Sequence, residues 1–587
     1  MKILLVAVNA KYIHSNLAVY CLKSYAAAHG YSVEIAEYTI NQQPGEVLRD
    51  LYEKDADVLA FSCYIWNIEF IKGILKDYKK VRPKSEIWLG GPEVSYCAEG
   101  ILAECPQVRG IMVGEGEETF RKIVSVYTEG EKESVSWQNV NGIVVRDAKE
   151  QIIRTEPACS LDFSRLPFPY GDGRASVLDG TGAEMALPDS FETRIIYYES
   201  SRGCPFSCAY CLSSIDKEVR FRDMDLVKQE LVFFLNKKVP QIKFIDRTFN
   251  INNKRTIELL TFIKEHDNGV TNFHFEVAAE LLSEEQIILL KSLRPGLVQL
   301  EIGVQSTNTA TLSAVNRRTE LSKLKEAVAA VREQNNVHIH LDLIAGLPCE
   351  DLASFRNSFN DVYRMQPHQL QLGFLKVLYG SLMETMTADA GVVYQSAPPY
   401  EVLSTKWLSY ADLILLKKVE EMVEVYYNSG QFVYSMMYLQ QTMAEPFSLF
   451  EHLAEAYEKE QLVGMKLSRN KRYEILLAFA KDFLKTKERV SVFEEILYYD
   501  YCLREKPKHR PEFGNAGRME KQELREAYLS FGIKREGEGM HTIETFSFDP
   551  EQTAKQGQVT GVPCRILFSY EHRDAIYGQA AVTKLLL

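Results

Sequence analysis

Cys204, Cys208 and Cys211 fall within the stretch SRGCPFSCAYC, residues 201–211, in the spacing C-x3-C-x2-C. Thiolates at this spacing are ligands for iron–sulfur centres and for zinc. A cubane 4Fe–4S cluster capped entirely by protein needs four thiolates, so three leave one iron open. An open coordination position lets a metal site bind a substrate as well as brace a fold. A structural zinc site would usually show a second Cys or His pair nearby, and neither YYESS before the loop nor LSSIDKEV after it supplies one. Gly203 and Pro205 stop the loop from continuing as a helix and help it wrap a bulky inorganic core.

The loop must be held by something rigid, and the surrounding pattern supplies it. A strand-like RIIYYESSRG (194–203) leads into the cysteines, and further strands alternate with helical stretches. They are QIKFIDRTFN (241–250), NFHFEVAAE (272–280), GLVQLEIGVQS (296–306), VHIHLDLIAGLP (337–348) and HQLQLGFLKVL (368–378). Six such units predict a partial (β/α)6 TIM barrel whose working rim lies at the carboxyl ends of its strands. Residues 1–125 show the same alternation in KILLVAV, SVEIAEY, ADVLAFSCY, EIWLGGP and GIMVGEGE, which predicts a Rossmann-like parallel sheet. Its turn residues Asn9, Ser62, Gly90, Gly91, Pro92, Gly114 and Gly116 fall at the strand carboxyl ends, where ligands of open α/β sheets bind.

The expected organisation is α/β, with a first domain over 1–135, a linker over 136–190 containing the hairpin-like NGIVVRDAKEQIIRTE, and a barrel over 191–397. A mainly helical region of unknown role follows over 398–587, with a strand-like tail. At 587 residues the chain is too long for one core. Its 46% apolar and 25% charged residues are those of an ordinary globular protein. A net charge of −12 argues against a broad nucleic-acid surface, and the basic cluster REKPKHRP (504–511) reads as a solvated loop. Eleven dispersed cysteines are too dilute for a disulfide framework, and no run reaches the roughly 18 apolar residues of a membrane span, so we expect a cytoplasmic protein.

With an aromatic residue before the last cysteine, in the loop after the first barrel strand, the motif resembles that of the radical S-adenosylmethionine (SAM) superfamily. The resemblance implies that Cys204, Cys208 and Cys211 hold a 4Fe–4S cluster whose open iron is chelated by SAM. An electron then cleaves SAM to methionine and a 5′-deoxyadenosyl radical, supplied from an external donor such as flavodoxin or ferredoxin. It places Tyr210 near the adenine and offers Asp246, Arg247 and Asn250 as contacts to the methionine amino group. Glu276, Glu301 and Gln305 would bind ribose hydroxyls or substrate, or else be ion-paired rim residues; either carboxylate could pair with Arg317 and Arg318. Ile344 and Gly346 occupy the segment that packs its backbone against adenine.

The first domain is similar to the cobalamin-binding domain that precedes the barrel in many radical SAM enzymes. Asn9, Ser62, Gly90, Gly91, Gly114 and Glu115 are then the expected cobalamin contacts. The D-x-H-x-x-G element that gives cobalt a histidine ligand is absent, and His14 in KYIHSN reads as a polar contact of the loop. Two cofactors facing each other imply methylation of an unactivated carbon. The alternatives are a cobalamin-dependent rearrangement or cyclisation without methyl transfer, and a non-catalytic iron–sulfur or cobalamin sensor. The substrate, a small molecule or peptide, is not readable from the sequence.

Overall fold

The computed structural model describes residues 1–129, 137–147, 149–170, 192–507, 510–514, 519–533 and 539–587. The segment 171–191 of the expected linker lies outside them, as do residues 508 and 509 of the basic cluster. The first sheet contains β1 (Ile3–Asn9), β2 (Glu34–Thr39), β3 (Val58–Ser62), β4 (Glu86–Gly90), β5 (Gly110–Met112), β6 (Ile143–Arg146) and β7 (Ile152–Arg154), in the order β2-β1-β3-β4-β5-β6-β7. The first five strands are parallel and the last two antiparallel. The segment 141–156, expected between domains, thus extends the first sheet. β1 and β3 are buried throughout and apolar up to their final residues, Asn9 and Ser62, because helices cover both faces of the sheet.

The second sheet is the partial barrel, built from β8 (Ile195–Tyr198) onward. A two-residue ladder, β9 (Ser201–Arg202) with β10 (Arg220–Phe221), closes the base of the cysteine loop. β11 (Gln241–Phe244), β12 (Asn272–Val277), β13 (Val298–Gln305), β14 (His338–Ala345) and β15 (Gln369–Phe374) complete the barrel, in the all-parallel order β15-β14-β13-β12-β11-β8. β13 alternates strictly: Val298, Leu300, Ile302 and Val304 are buried, while Gln299, Glu301, Gly303 and Gln305 are half-buried on its other face.

Both free edges of this sheet are covered. Ile195 N–H donates to the Ile13 carbonyl at 2.8 Å, and Ser15 Oγ donates to the Ile195 carbonyl at 2.9 Å, so a loop of the first domain lies along β8. At the other edge the Asn428 amide makes two 2.9 Å hydrogen bonds with the backbone of Leu370 on β15.

Asn428 belongs to the C-terminal region, which begins with the hairpin β16 (Val393–Tyr394) and β17 (Val402–Ser404). Helices Tyr410–Val423, Pro446–Lys459, Arg469–Leu484 and Lys487–Arg504 follow. The region ends in the antiparallel sheet β18 (His541–Phe546), β19 (Cys564–Arg573) and β20 (Ala580–Leu586). Its apolar side chains and those of the barrel form one continuous core. Among the described residues no helix is long and apolar enough to cross a membrane.

Candidate cofactor site between two domains

The cysteine loop leaves the carboxyl end of β8. Cys204 and Cys208 are buried, Cys211 is half-buried, and none is in a disulfide. Burial raises the pKa of the Cys204 thiol, and the nearby Cys211 and Cys208 add to the rise. Among the described residues no three His, Cys, Asp or Glu side chains converge as ligands of a single ion would. Gly203 is required by the loop's return path: at φ +97 its missing Cβ would sit 2.0 Å from the Glu218 carbonyl oxygen.

Arg317 braces the loop from the barrel. Its guanidinium donates to Cys208 Sγ at 3.7 Å, to Tyr210 Oη at 3.4 Å and to the Gly303 carbonyl. It therefore does not pair with Glu276 or Glu301. Gln305 Oε1 and Arg317 Nε, which flank Gly303, are buried with no hydrogen-bond partner among the described residues. Such orphans beside open thiols are the polar atoms that a bound cofactor satisfies, so this pocket fits a cluster carrying a polar ligand.

Other expected contacts have structural partners instead. Asp246 is buried and accepts from Ser200 N–H at 2.7 Å, Ser200 Oγ at 2.6 Å and Ser201 Oγ at 2.7 Å, fixing the residues that lead into the cysteines. Asn250 exchanges both its amide groups with the backbone of Ala278, tying the second strand's loop to the third strand. Glu301 sits 2.9 Å from both Lys243 Nζ and His274 Nε2. Burial alone would raise its pKa, but His274 and Lys243 prevail and hold the carboxyl well below the usual range. Glu276 has no such partners. Burial pushes it up to about 7 against the opposing charge of Arg247, which is exposed and faces the interdomain cavity. Ile344 is half-buried, and Gly346 lies against Val402 of β17, whose methyl would be 2.7 Å from an added Cβ.

Across from the loop, Asn9, Ser62, Gly90, Gly91 and Gly114 line one cavity of about 770 Å³. The opposite wall comes from the barrel and includes Tyr197, Arg202, Gly203 and Arg247. The strand ends of the first domain therefore face the root of the cysteine loop. Gly114, at φ +81, has no atom within 4 Å of where a Cβ would stand, so the backbone is open there to a large ligand. Gly91 is required by the turn itself: at φ +112 its Cβ would lie 2.4 Å from the Cys63 carbonyl oxygen. His14 lines the same cavity with Nδ1 2.8 Å from Tyr197 Oη, a polar contact between the domains. Glu115 is engaged by Arg202 and Arg220 of the barrel, and the pair lowers its pKa against burial. These two arginines, together with Glu117 and Glu199, were not singled out from the sequence; the adjacency of Arg202 to Gly203 was the available signal.

A three-cysteine loop at the rim of a partial barrel, facing the strand ends of a parallel sheet, is the arrangement that the resemblance to radical SAM enzymes with a leading cobalamin-binding domain implies. Residues 3–124 match the B12 binding domain, residues 198–362 the Radical SAM superfamily, and residues 388–568 a family described as a protein of unknown function, DUF4080. The chain thus carries a B12-binding domain followed by a Radical SAM domain, which together imply a 4Fe–4S cluster, SAM and cobalamin as cofactors. It is 27% identical over 326 residues to the 2-(S-pantetheinyl)-carbapenam-3-carboxylate methyltransferase of Streptantibioticus cattleyicolor, covering 54% of this chain and 46% of that one. To the cobalamin-dependent radical SAM methyltransferase TokK of Streptomyces tokunonensis it is 26% identical over 330 residues, with the same coverage of 54% and 46%. The chain thus spans about half the length of these curated relatives. In fold it is similar to the cobalamin-dependent SAM radical enzyme OxsB with aqua-cobalamin and SAM bound (TM-score 0.56, 14% identity, 94% of this chain and 83% of that one). It is also similar to the methyltransferase TsrM of Kitasatospora setae (TM-score 0.54, 14% identity, 68% and 78%).

Proposed function

We propose that this chain is a methyltransferase that methylates an unactivated carbon of a small-molecule or peptide substrate. The observation that carries the reading is the single cavity shared by the root of the cysteine loop and the glycine-lined strand ends of the first domain. When bound, the cluster and SAM would supply a carbon-centred radical and cobalamin a transferable methyl group. The protein's share is to hold and orient. Cys204, Cys208 and Cys211 would grip the cluster, Arg317 would fix Cys208 and Tyr210, and Asp246 would set the loop's root through Ser200 and Ser201. Gly114 and its neighbours would let a corrin approach the backbone. The walls contributed by both domains would keep water from a reactive alkyl species.

The names of the two methyltransferase relatives support methyl transfer over rearrangement. The test is oxygen-free, reconstituted protein given SAM, cobalamin, a reductant and candidate substrates. Formation of 5′-deoxyadenosine together with S-adenosylhomocysteine supports the reading. Formation of 5′-deoxyadenosine without methylated product sinks methyl transfer, and formation of neither compound sinks the enzyme reading.

A further inference from the structure

At the neck of the cysteine loop two arginines stand opposite one another. Arg202 on β9 and Arg220 on β10 are register partners in the ladder that closes residues 203–219 into a loop. Like charges directly opposed across an antiparallel pair repel. Here the repulsion is weakly screened, because the side chains are only 17% and 14% exposed. Glu199 meets Arg202 at 2.8 Å and Asp216 meets Arg220 at 3.0 Å, yet each serves one arginine alone. The one carboxylate among the described residues that reaches both comes from the other domain: Glu115 lies 3.3 Å from Arg202 Nη1 and 3.2 Å from Arg220 Nη1. Gly114 turns the chain out of β5 to present it, and Glu117 adds a second interdomain contact to Arg202 at 2.9 Å.

We infer that Glu115 is a positioning residue: it is the carboxylate that bridges the two opposed arginines and thereby makes the shape of the cysteine loop depend on docking of the first domain. The inference deepens the functional reading above and rests on it for its purpose. The cluster would be held in working geometry only when the cobalamin-carrying domain is in place, so that no radical is generated at an unshielded site. Removing the Glu115 charge leaves Arg202 with Glu199 and Glu117 and Arg220 with Asp216, but no carboxylate then ties the two guanidiniums to each other, and the neck of the loop loosens.

The test is backbone hydrogen exchange on the full chain, purified without oxygen and without added cofactors. Glu115→Gln keeps the side-chain shape and removes the charge. It should speed exchange across 203–219 by about tenfold while leaving β11 to β15 unchanged. Arg220→Met breaks the same bridge from its other end, so it should speed exchange to a similar degree and add little when combined with Glu115→Gln, whereas two independent contacts would add. Unchanged exchange in the Glu115→Gln variant, or additive effects in the double, overturns the inference. If Glu115→Gln does not fold, Arg220→Met carries the test, and unchanged exchange across 203–219 in that variant counts equally against the idea. The measurement needs no cofactor, so a wild-type chain that binds no cobalamin would defeat the functional reading without deciding this result.

Discussion

Arg317 places its guanidinium 3.7 Å from Cys208 Sγ and 3.4 Å from Tyr210 Oη, putting a fixed positive charge beside a sulfur proposed as a cluster ligand. A neighbouring cation favours the more negative, reduced form of an iron–sulfur cluster and raises its potential. Arg317→Leu should therefore lower the midpoint of the reconstituted cluster by about 60 mV or more, since each tenfold of one-electron equilibrium corresponds to 59 mV. A paramagnetic-resonance redox titration reads this, and an unchanged midpoint at unchanged iron content would refute it.

Cys208→Ala should remove the cluster altogether. The thiol is buried, and beyond Cys204 and Cys211, which the cluster itself needs, no cysteine among the described residues stands in the same loop to replace it. Iron per chain and the visible iron–sulfur absorption should fall to background while the far-ultraviolet circular dichroism stays that of the parent. Retained SAM cleavage would contradict the ligand assignment.

Two glycines should behave differently. Gly91→Ala introduces a Cβ 2.4 Å from the Cys63 carbonyl oxygen at φ +112 and should cost at least about 1–3 kcal/mol, visible as a melting point several degrees lower. Gly114→Ala carries the backbone strain of φ +81 but meets no atom within 4 Å, so its thermal cost should be smaller. Its main effect should be on cobalamin retained through gel filtration. Equal melting points for the two variants would contradict this geometry.

The Glu276 carboxyl, pushed up to about 7 by burial, sets a pH dependence of stability. In the unfolded chain it ionises near the ordinary value of about 4.3, so between that pH and about 7 the folded state holds a proton that the unfolded state has released. Its contribution to stability therefore declines as pH rises through this window. Glu276→Gln should melt progressively higher than the parent as pH is raised from 5 to 8. A constant difference across the series would show that the carboxyl is not buried as described.

Tyr400 Oη donates to Glu93 at 2.6 Å, joining the C-terminal region to the turn after β4. Tyr400→Phe leaves a mostly desolvated carboxylate without this donor and should destabilise the chain by about 1–3 kcal/mol. Denaturant unfolding at neutral pH would detect it. No change in midpoint would mean that solvent already serves Glu93.

The sheets and the three cysteines were legible because their signals are local: the parallel strands are runs or strict alternations of Val, Ile and Leu, and C-x3-C-x2-C lies within eight residues. Pairings across the chain were not. Asp246 follows the second barrel strand, where a cofactor contact is expected, and its partners in this structure are Ser200 and Ser201, 46 and 45 residues away. Glu301 takes Lys243 and His274, which the sequence offered no reason to prefer over Arg317. The hairpin 143–154 reads as a connector because it follows the last parallel strand, and only pairing with β5 makes it part of the sheet.

Both flanks of the barrel sheet are tied from outside: Ile13 and Ser15 bond to Ile195 on one side and Asn428 to Leu370 on the other. An excised 192–397 fragment would bare two strand margins and the apolar surface that the later helices cover. Such a fragment would stick to copies of itself and aggregate, so the three parts cannot be traded among proteins as independent cassettes.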